Sequence, residues 1–229
     1  ANHAAVLAVV GLLLASCGGG DDSSSSSSVA ESAATEASTP DVTEPTDVID
    51  SFDEVQPAVV QIVARGSFRD PEVGMVLDAG RGSGFIISED GLAVTNNHVV
   101  TGAATLEIFI GGDTSRSYNA TVVGVSECND LALIQIDSDD PLPHLEWTTS
   151  PPTVGTEVYA AGFPLGDPEF TMTRGIVAKA NASGDTPWSS IDAIIEHDAN
   201  IQPGNSGGPL VDAEGRVDGV NYRGIMVTN

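Results

Sequence analysis

Gly204-Asn205-Ser206-Gly207-Gly208-Pro209-Leu210 sets one serine among glycines, just ahead of a short apolar run. Glycines on both sides let the backbone turn sharply, so a hydroxyl can stand clear while backbone N–H groups converge beside it. Taken alone, the string fits equally well a glycine-rich turn in which Ser206 merely sits. Two upstream strings separate the readings. Ala93-Val94-Thr95-Asn96-Asn97-His98-Val99-Val100 puts a histidine just after a strand-like run, and Asn129-Asp130-Leu131-Ala132-Leu133-Ile134 puts an aspartate at the start of one. A serine hydroxyl is a weak nucleophile at neutral pH and needs a base, and that base needs a group to orient it. Singly, an aspartate at a strand end is usually a cap or a solvated charge, and a lone histidine is usually structural. Together, His98, Asp130 and Ser206 supply nucleophile, base and orienting group.

Around these strings the chain reads as short β-rich runs separated by turn residues. The runs are Val59–Ala64, Gly84–Ser88, Leu92–Thr95, Leu106–Ile110, Ala120–Val125 and Leu131–Ile136, then Glu157–Gly162, Thr171–Lys179, Ala193–Glu196, Pro209–Val211 and Arg216–Val220. Glu89-Asp90-Gly91, Gly111-Gly112-Asp113 and Ala213-Glu214-Gly215 are hairpin signals. No apolar pattern of period 3.6 runs long enough for a core helix. Prolines 141, 143, 151 and 152 bracket a linker between two groups of about six strands. Many short strands with glycine-rich turns argue for a sandwich or barrel, and the expected architecture is all-β, two six-stranded barrels joined near residues 140–153.

The order His98, Asp130, Ser206 and the strings around them resemble the trypsin-like serine peptidases, in particular the bacterial HtrA/Deg branch. The similar stretch runs from about Gly82 to Tyr222 and includes Gly82-Ser83-Gly84-Phe85-Ile86-Ile87 and Gly219-Val220-Asn221. The resemblance implies that His98 takes the proton of Ser206 and later delivers it to the leaving amine, while Asp130 fixes the imidazole tautomer. It places the oxyanion hole in the stretch Gly204, Asn205, Ser206, through the backbone N–H groups of Gly204 and Ser206. Each such donor is worth roughly 3–4 kcal/mol elsewhere. It also places Asn200 at the base of the primary substrate pocket, with Ile201, Val220 and Asn221 beside it. Asn200 carries no charge to select Lys or Arg, so cleavage after small aliphatic residues is expected. The implied function is an endopeptidase acting on unfolded or damaged polypeptides outside the cytoplasmic membrane, with no cofactor and no metal. Two alternatives stay open: a glutamyl-type endopeptidase, in which His197 or Arg223 holds an acidic side chain, and a non-catalytic binding lipoprotein on a protease fold. HtrA-type proteins also carry a PDZ domain and assemble as trimers. With 23 residues after Ser206, the protease domain is expected to be cut short at its C-terminus, so the resemblance leaves a trimer as an expectation only.

Composition bounds the rest. The 229 residues carry 33 acidic against 8 basic side chains, a formal charge of −25 with one lysine, Lys179. Nucleic acid is excluded as a partner, because polyanion binding needs clustered Lys and Arg to release counterions. Two cysteines cannot build a disulfide scaffold, and no Cys/His spacing suggests zinc. Ala4 to Ala15 is almost wholly apolar, and its 12 residues are short of the roughly 20 that span a bilayer. It reads as the apolar core of a signal peptide, and Leu14-Ala15-Ser16-Cys17 resembles a bacterial lipobox. Residues 1–17 are therefore expected to be a lipoprotein-type signal, with Cys17 acylated and tying the protein to the outer face of a membrane. Lacking Met and a basic segment at Ala1, the chain is expected to begin upstream. Residues 18–54 hold ten acids and no base, and with the run Ser23 to Ser28 they cannot bury enough apolar area to order themselves. A disordered tether over 18–50 and a protease domain over 51–229 follow. Cys128, left without an intrachain partner, is expected to be a small buried residue. His3 lies in the signal and His144 in the linker, while His197 lies nine residues before Ser206, in the segment that helps build the pocket in the family.

Overall fold

In the computed structural model, residues 48–49, 54–70, 74–76, 80–185 and 190–222 are described, and they are almost entirely β. The signal expected over 1–17 and most of the tether lie outside the described residues. In chain order the first strands are β1 (Val48–Ile49), β2 (Val59–Gly66), β3 (Phe68–Asp70), β4 (Gly74–Val76), β5 (Gly80–Ile86) and β6 (Leu92–Asn96). A single helical turn, α1 (Asn97–Val100), precedes β7 (Ala103–Ile110), β8 (Tyr118–Ser126), β9 (Leu131–Ile136) and β10 (His144–Leu145). The second half holds β11 (Glu157–Gly162), β12 (Thr171–Asp185), β13 (Ser190–His197), β14 (Pro209–Val211) and β15 (Val217–Val220).

Six of these strands close into an antiparallel barrel in the order β2-β5-β6-β9-β8-β7. A second sheet runs β13-β12-β11-β14-β15. Among the described residues the second barrel therefore has five strands, a half-barrel, where six were expected. The architecture is the expected all-β pair of sheets, one closed into a barrel and one open.

Period-two alternation explains both sheets. Along β9, Ala132, Ile134 and Ile136 are buried while Leu131, Leu133 and Gln135 are half-buried, as expected for side chains that point to opposite faces in turn. In β2, β5 and β6 both faces are buried, and adjacent residues go to different cores. Val60, Ile86 and Ala93 fill the closed barrel; Val59, Phe85 and Val94 pack outward against Ala161, Phe163 and Val211 of the second sheet. That is why Val59–Ala64, apart from the buried Gln61, is apolar at successive positions rather than alternating. Each large side chain so buried contributes about 1.5–3 kcal/mol. A third cluster, Val158, Ala160, Val177, Ala199 and Leu210, fills the second sheet.

The proline-rich linker is more ordered than its composition suggests. Leu142 and Leu145 are buried, β10 pairs in parallel with β1, and Glu146 to Thr148 run alongside β15 through Val217 N–H to Glu146 O (2.8 Å) and Thr148 N–H to Val217 O (3.0 Å). The end of the expected tether, Val48–Ile49, is thus a strand. Cys128 corrects another expectation: it is exposed, because it sits in the single 3-10 turn Glu127–Asn129 on the barrel surface.

Candidate active site

His98 is held by its neighbours in sequence. Val99 and Val100 are buried in the barrel core and pin α1 down, which leaves the His98 imidazole at the surface with 26% of its side chain exposed. Asp130, only 2% exposed, lies beneath it. Its residue is in the left-handed region (φ 51°, ψ 41°), a conformation that aspartate tolerates better than most side chains. The bend turns the carboxylate toward α1, where Oδ2 lies 2.6 Å from His98 Nδ1 and Oδ1 accepts the His98 backbone N–H at 2.9 Å. The Asp130 carbonyl in turn accepts Asn96 Nδ2 (2.9 Å) and Asn97 N–H (3.0 Å). A carboxylate only accepts, so Nδ1 carries the proton in this pair and Nε2 keeps a free lone pair.

Ser206 sits at the tip of the loop between β13 and β14. The loop is fixed by its carbonyls: Pro203 O accepts Leu165 N–H (2.6 Å), and Asn205 O accepts Gly208 N–H (3.0 Å). The Asn205 N–H, expected in the oxyanion stretch, is instead donated to Gln202 O at 3.0 Å. The amides of Gly204 and Ser206 donate to no described residue, so these two remain of the three. The Ser206 hydroxyl donates to Tyr222 O at 3.4 Å, and no hydrogen bond joins it to His98 in this structure.

Beside the loop lies a cleft of about 400 Å³. Ile201, Val220 and Asn221 line it as expected, together with Leu131, Ile194, Ile195 and Leu210. Asn200 does not. It is exposed, and its carbonyl is engaged by Thr173 Oγ1 at 2.6 Å. Asn221 is more anchor than wall, since it is buried and its Nδ2 donates to Pro209 O (2.9 Å). Four buried side-chain atoms of cleft-lining residues have no described partner: Asn96 Oδ1, Asn221 Oδ1, Asp218 Oδ2 and His197 Nδ1. Desolvation pushes the Asp218 carboxyl up from the ordinary aspartate value. The sequence reading gave no role to Ser83 or Thr95, which join the loop to the first barrel; the Gly82-Ser83-Gly84 string was the available signal.

Burial holds the pKa of His197 below its usual 6.5, against the opposing charge of Asp198. The unfolded chain therefore binds a proton near pH 6.5 that the folded chain takes up only at lower pH, so stability falls as pH drops below about 6.5. Urea unfolding of wild type and His197→Phe between about pH 7.5 and 5.5 checks this. The wild-type midpoint is expected to fall more steeply; parallel curves would refute it.

Comparison with known proteins agrees with this arrangement. Residues 82–220 match the family described as a trypsin-like peptidase domain. A "probable periplasmic serine endoprotease DegP-like" of Hahella chejuensis is 45% identical over 141 residues, which cover 61% of this chain and 29% of that protein. "Protease Do-like 1, chloroplastic" of Arabidopsis thaliana is 34% identical over 203 residues, 84% of this chain and 45% of the other. The chain thus spans less than half the length of these relatives. The Rv3671c protease from M. tuberculosis in its active form superposes with a TM-score of 0.60 at 29% identity, over 73% of this chain and 70% of that one. A match that begins before His98 and ends after Ser206, on the same fold, settles the family: this chain belongs to the trypsin-like peptidases.

Proposed function

We propose that the protein is a serine endopeptidase of the HtrA type, with Ser206 as nucleophile, His98 as general base and Asp130 as the group that orients it. The observation that carries the reading is the 2.6 Å pair between His98 Nδ1 and the buried Asp130 carboxylate. It leaves His98 Nε2 as the acceptor for the Ser206 proton when Ser206 Oγ attacks a peptide carbonyl carbon. The tetrahedral oxyanion is taken by the N–H groups of Gly204 and Ser206. As the C–N bond breaks, His98 returns the proton to the leaving amine, and water then releases the acyl group by the same route. The 3.4 Å bond of Ser206 to Tyr222 O is compatible with this, since hydrogen bonds of catalytic groups are often loose until substrate is bound.

The substrate is an extended polypeptide, hence an unfolded one. Its apolar side chains suit Ile201, Val220 and Leu210, which line the cleft. Preference for small aliphatic residues is broad, because each methylene is worth only about 1–3 kcal/mol. His197 is poorly suited to hold a glutamate side chain, since burial lowers its pKa and disfavours the charged form, while Arg223, the other residue considered for that role, lies outside the described residues. The paired His98 and Asp130 argue against a purely binding role. A fluorophosphonate probe tests the reading: the label is expected on Ser206, and an unlabelled Ser206 in folded protein would refute it. Cleavage-site profiling of a denatured proteome then reads the specificity.

We further infer an extracytoplasmic location with a lipid anchor on Cys17. The support is Leu14-Ala15-Ser16-Cys17 followed at once by a Gly-, Asp- and Ser-rich stretch, with relatives named as periplasmic. Full-length protein is expected to enter the detergent phase and to carry acyl mass on Cys17, and Cys17→Ser to lose both. An unmodified mature chain starting elsewhere would refute the anchor.

A further inference from the structure

We propose that Ser83 is a positioning residue for the oxyanion amides: its side chain and backbone fix the loop that presents the N–H groups of Gly204 and Ser206. The proposal rests on the peptidase reading above and names a residue in the opposite barrel that makes it work.

Ser83 lies in β5 of the closed barrel and is fully buried. The β5–β6 ladder pairs Phe85 with Val94 and Ile86 with Ala93, and goes no further. Two residues before its end, the Ser83 N–H and C=O are therefore left free by β6. Both are used across the barrel boundary or beside it. The N–H donates to Ser206 O at 2.8 Å, and the C=O accepts Thr95 Oγ1 at 2.7 Å. The hydroxyl donates to Gly204 O at 2.7 Å and accepts Phe163 N–H at 2.9 Å. A buried hydroxyl with its donor and an acceptor site both engaged is costly to lose, and these partners lie 121 and 80 residues away in the chain.

The consequence follows from peptide planarity. In a trans peptide the N–H points opposite to the preceding C=O. Gly204 N–H is therefore aimed by Pro203 O, which is held by Leu165 N–H, in the turn that starts at Phe163. Ser83 Oγ accepts Phe163 N–H on one side and donates to Gly204 O, in the next peptide, on the other, so one oxygen anchors both flanks of the Pro203–Gly204 peptide without touching it. Gly204 itself (φ +104°) has no side chain to anchor it. The Ser206 N–H shares its peptide plane with Asn205 O, which accepts Gly208 N–H, and the Ser83 N–H anchors the loop just beyond it by holding Ser206 O. A charged oxyanion is stabilised by donors already aimed at it, so loosening that aim lowers the transition-state term and leaves substrate binding alone.

Ser83→Ala in the full chain tests this with a peptide substrate. The expected result is a loss in kcat of about ten- to hundred-fold, below the cost of deleting an oxyanion donor outright, with KM within about twofold. Affinity for a peptide aldehyde, whose adduct needs the oxyanion hole, is expected to fall in proportion to kcat, while affinity for the cleaved product peptide holds. Thr95→Val, nearly the same shape, removes the hydroxyl on Ser83 O and leaves Ser83 Oγ in place. It serves as the structural control and is expected to lower the urea midpoint without a comparable loss of kcat. Unchanged kcat in Ser83→Ala would overturn the proposal. So would equal losses of kcat in both variants at matched stability, or a loss confined to KM. A wild-type chain that neither hydrolyses peptide nor labels on Ser206 would overturn the peptidase reading and this proposal with it, a result distinct from the others because it appears before any substitution is made.

Discussion

Ser206→Ala is expected to lower kcat on an unfolded protein such as β-casein by roughly four to six orders of magnitude. In the proposed mechanism the hydroxyl oxygen is the atom that bonds to the substrate, so nothing else in the loop would replace it. Stability is expected to move by no more than about 0.5 kcal/mol, because the lost bond to Tyr222 O is long at 3.4 Å and the side chain is only half-buried. His98→Ala alone is expected to cost nearly as much in kcat, since the serine then has no base. Combining the two is expected to add little, as the groups act as one unit and removing either leaves only what binding and the oxyanion amides supply. Asp130 differs. It supports α1 through the His98 backbone N–H and, through its own carbonyl, Asn96 and Asn97. Asp130→Ala is thus expected to lose both activity and stability, whereas Asp130→Asn isolates the effect of tautomer. Steady-state kinetics on the four single variants and the Ser206→Ala/His98→Ala double variant check this. Full activity in Ser206→Ala, or losses that multiply, would refute the unit.

Most of the fold was legible because barrels impose period two on the chain. Leu131–Ile136, Glu157–Gly162 and Pro209–Val211 have the same bounds in the structure as in the sequence reading. Where the rule gave less signal, the reading stopped short. β12 continues from Lys179 to Asp185 through Ala180-Asn181-Ala182-Ser183-Gly184, a stretch of small residues with no β-branched or aromatic side chain that pairs with β13 through several register shifts. Backbone pairing holds it, and backbone pairing leaves no mark on residue type. The linker looked loose because prolines forbid ladder bonds locally, yet Leu142 and Leu145 alongside them are buried. At the site, His98, Asp130 and Ser206 stood out in the sequence because residue types able to serve as base, orienting group and nucleophile are few and distinctive, and the structure pairs the first two. Which amide is free and which residue faces the cleft cannot be read from residue type, because the bonds of Asn205 N–H to Gln202 O and of Thr173 Oγ1 to Asn200 O decide it. Ser83 was invisible for the same reason, since its partners are brought to it only by docking the second sheet on the first.

That docking sets the second large effect. Gly207→Ala is expected to destabilise the protein by at least about 3 kcal/mol, among the larger single-substitution effects. Two causes add. Gly207 has φ +86°, in the left-handed region that costs an L side chain about 1–2 kcal/mol. A Cβ there would also overlap the Ser83 carbonyl oxygen and Thr95 Oγ1, and lie 3.0 Å from Asn96 N. Two of these three atoms are backbone, so the overlap cannot be relieved by turning a side chain. It can be relieved only by moving the loop off the first barrel, which breaks Ser83 N–H to Ser206 O and Gly207 N–H to Asn221 O. Gly155→Ala separates the two causes, because Gly155 has φ +87° and nothing lies within 4 Å of its would-be Cβ. It is expected to cost only the conformational share, about 1–2 kcal/mol. At roughly 2–4 °C per kcal/mol for a chain of this size, Tm should fall by about 6 °C or more in Gly207→Ala and by clearly less in Gly155→Ala. Equal shifts in the two variants would mean that the loop does not rest on the first barrel as closely as Gly207 requires. Activity supplies an independent reading of the same contact. If the loop lifts, the amides of Gly204 and Ser206 leave the line set by Ser83, so Gly207→Ala that remains folded at low temperature is expected to lose kcat as well, whereas Gly155→Ala keeps it.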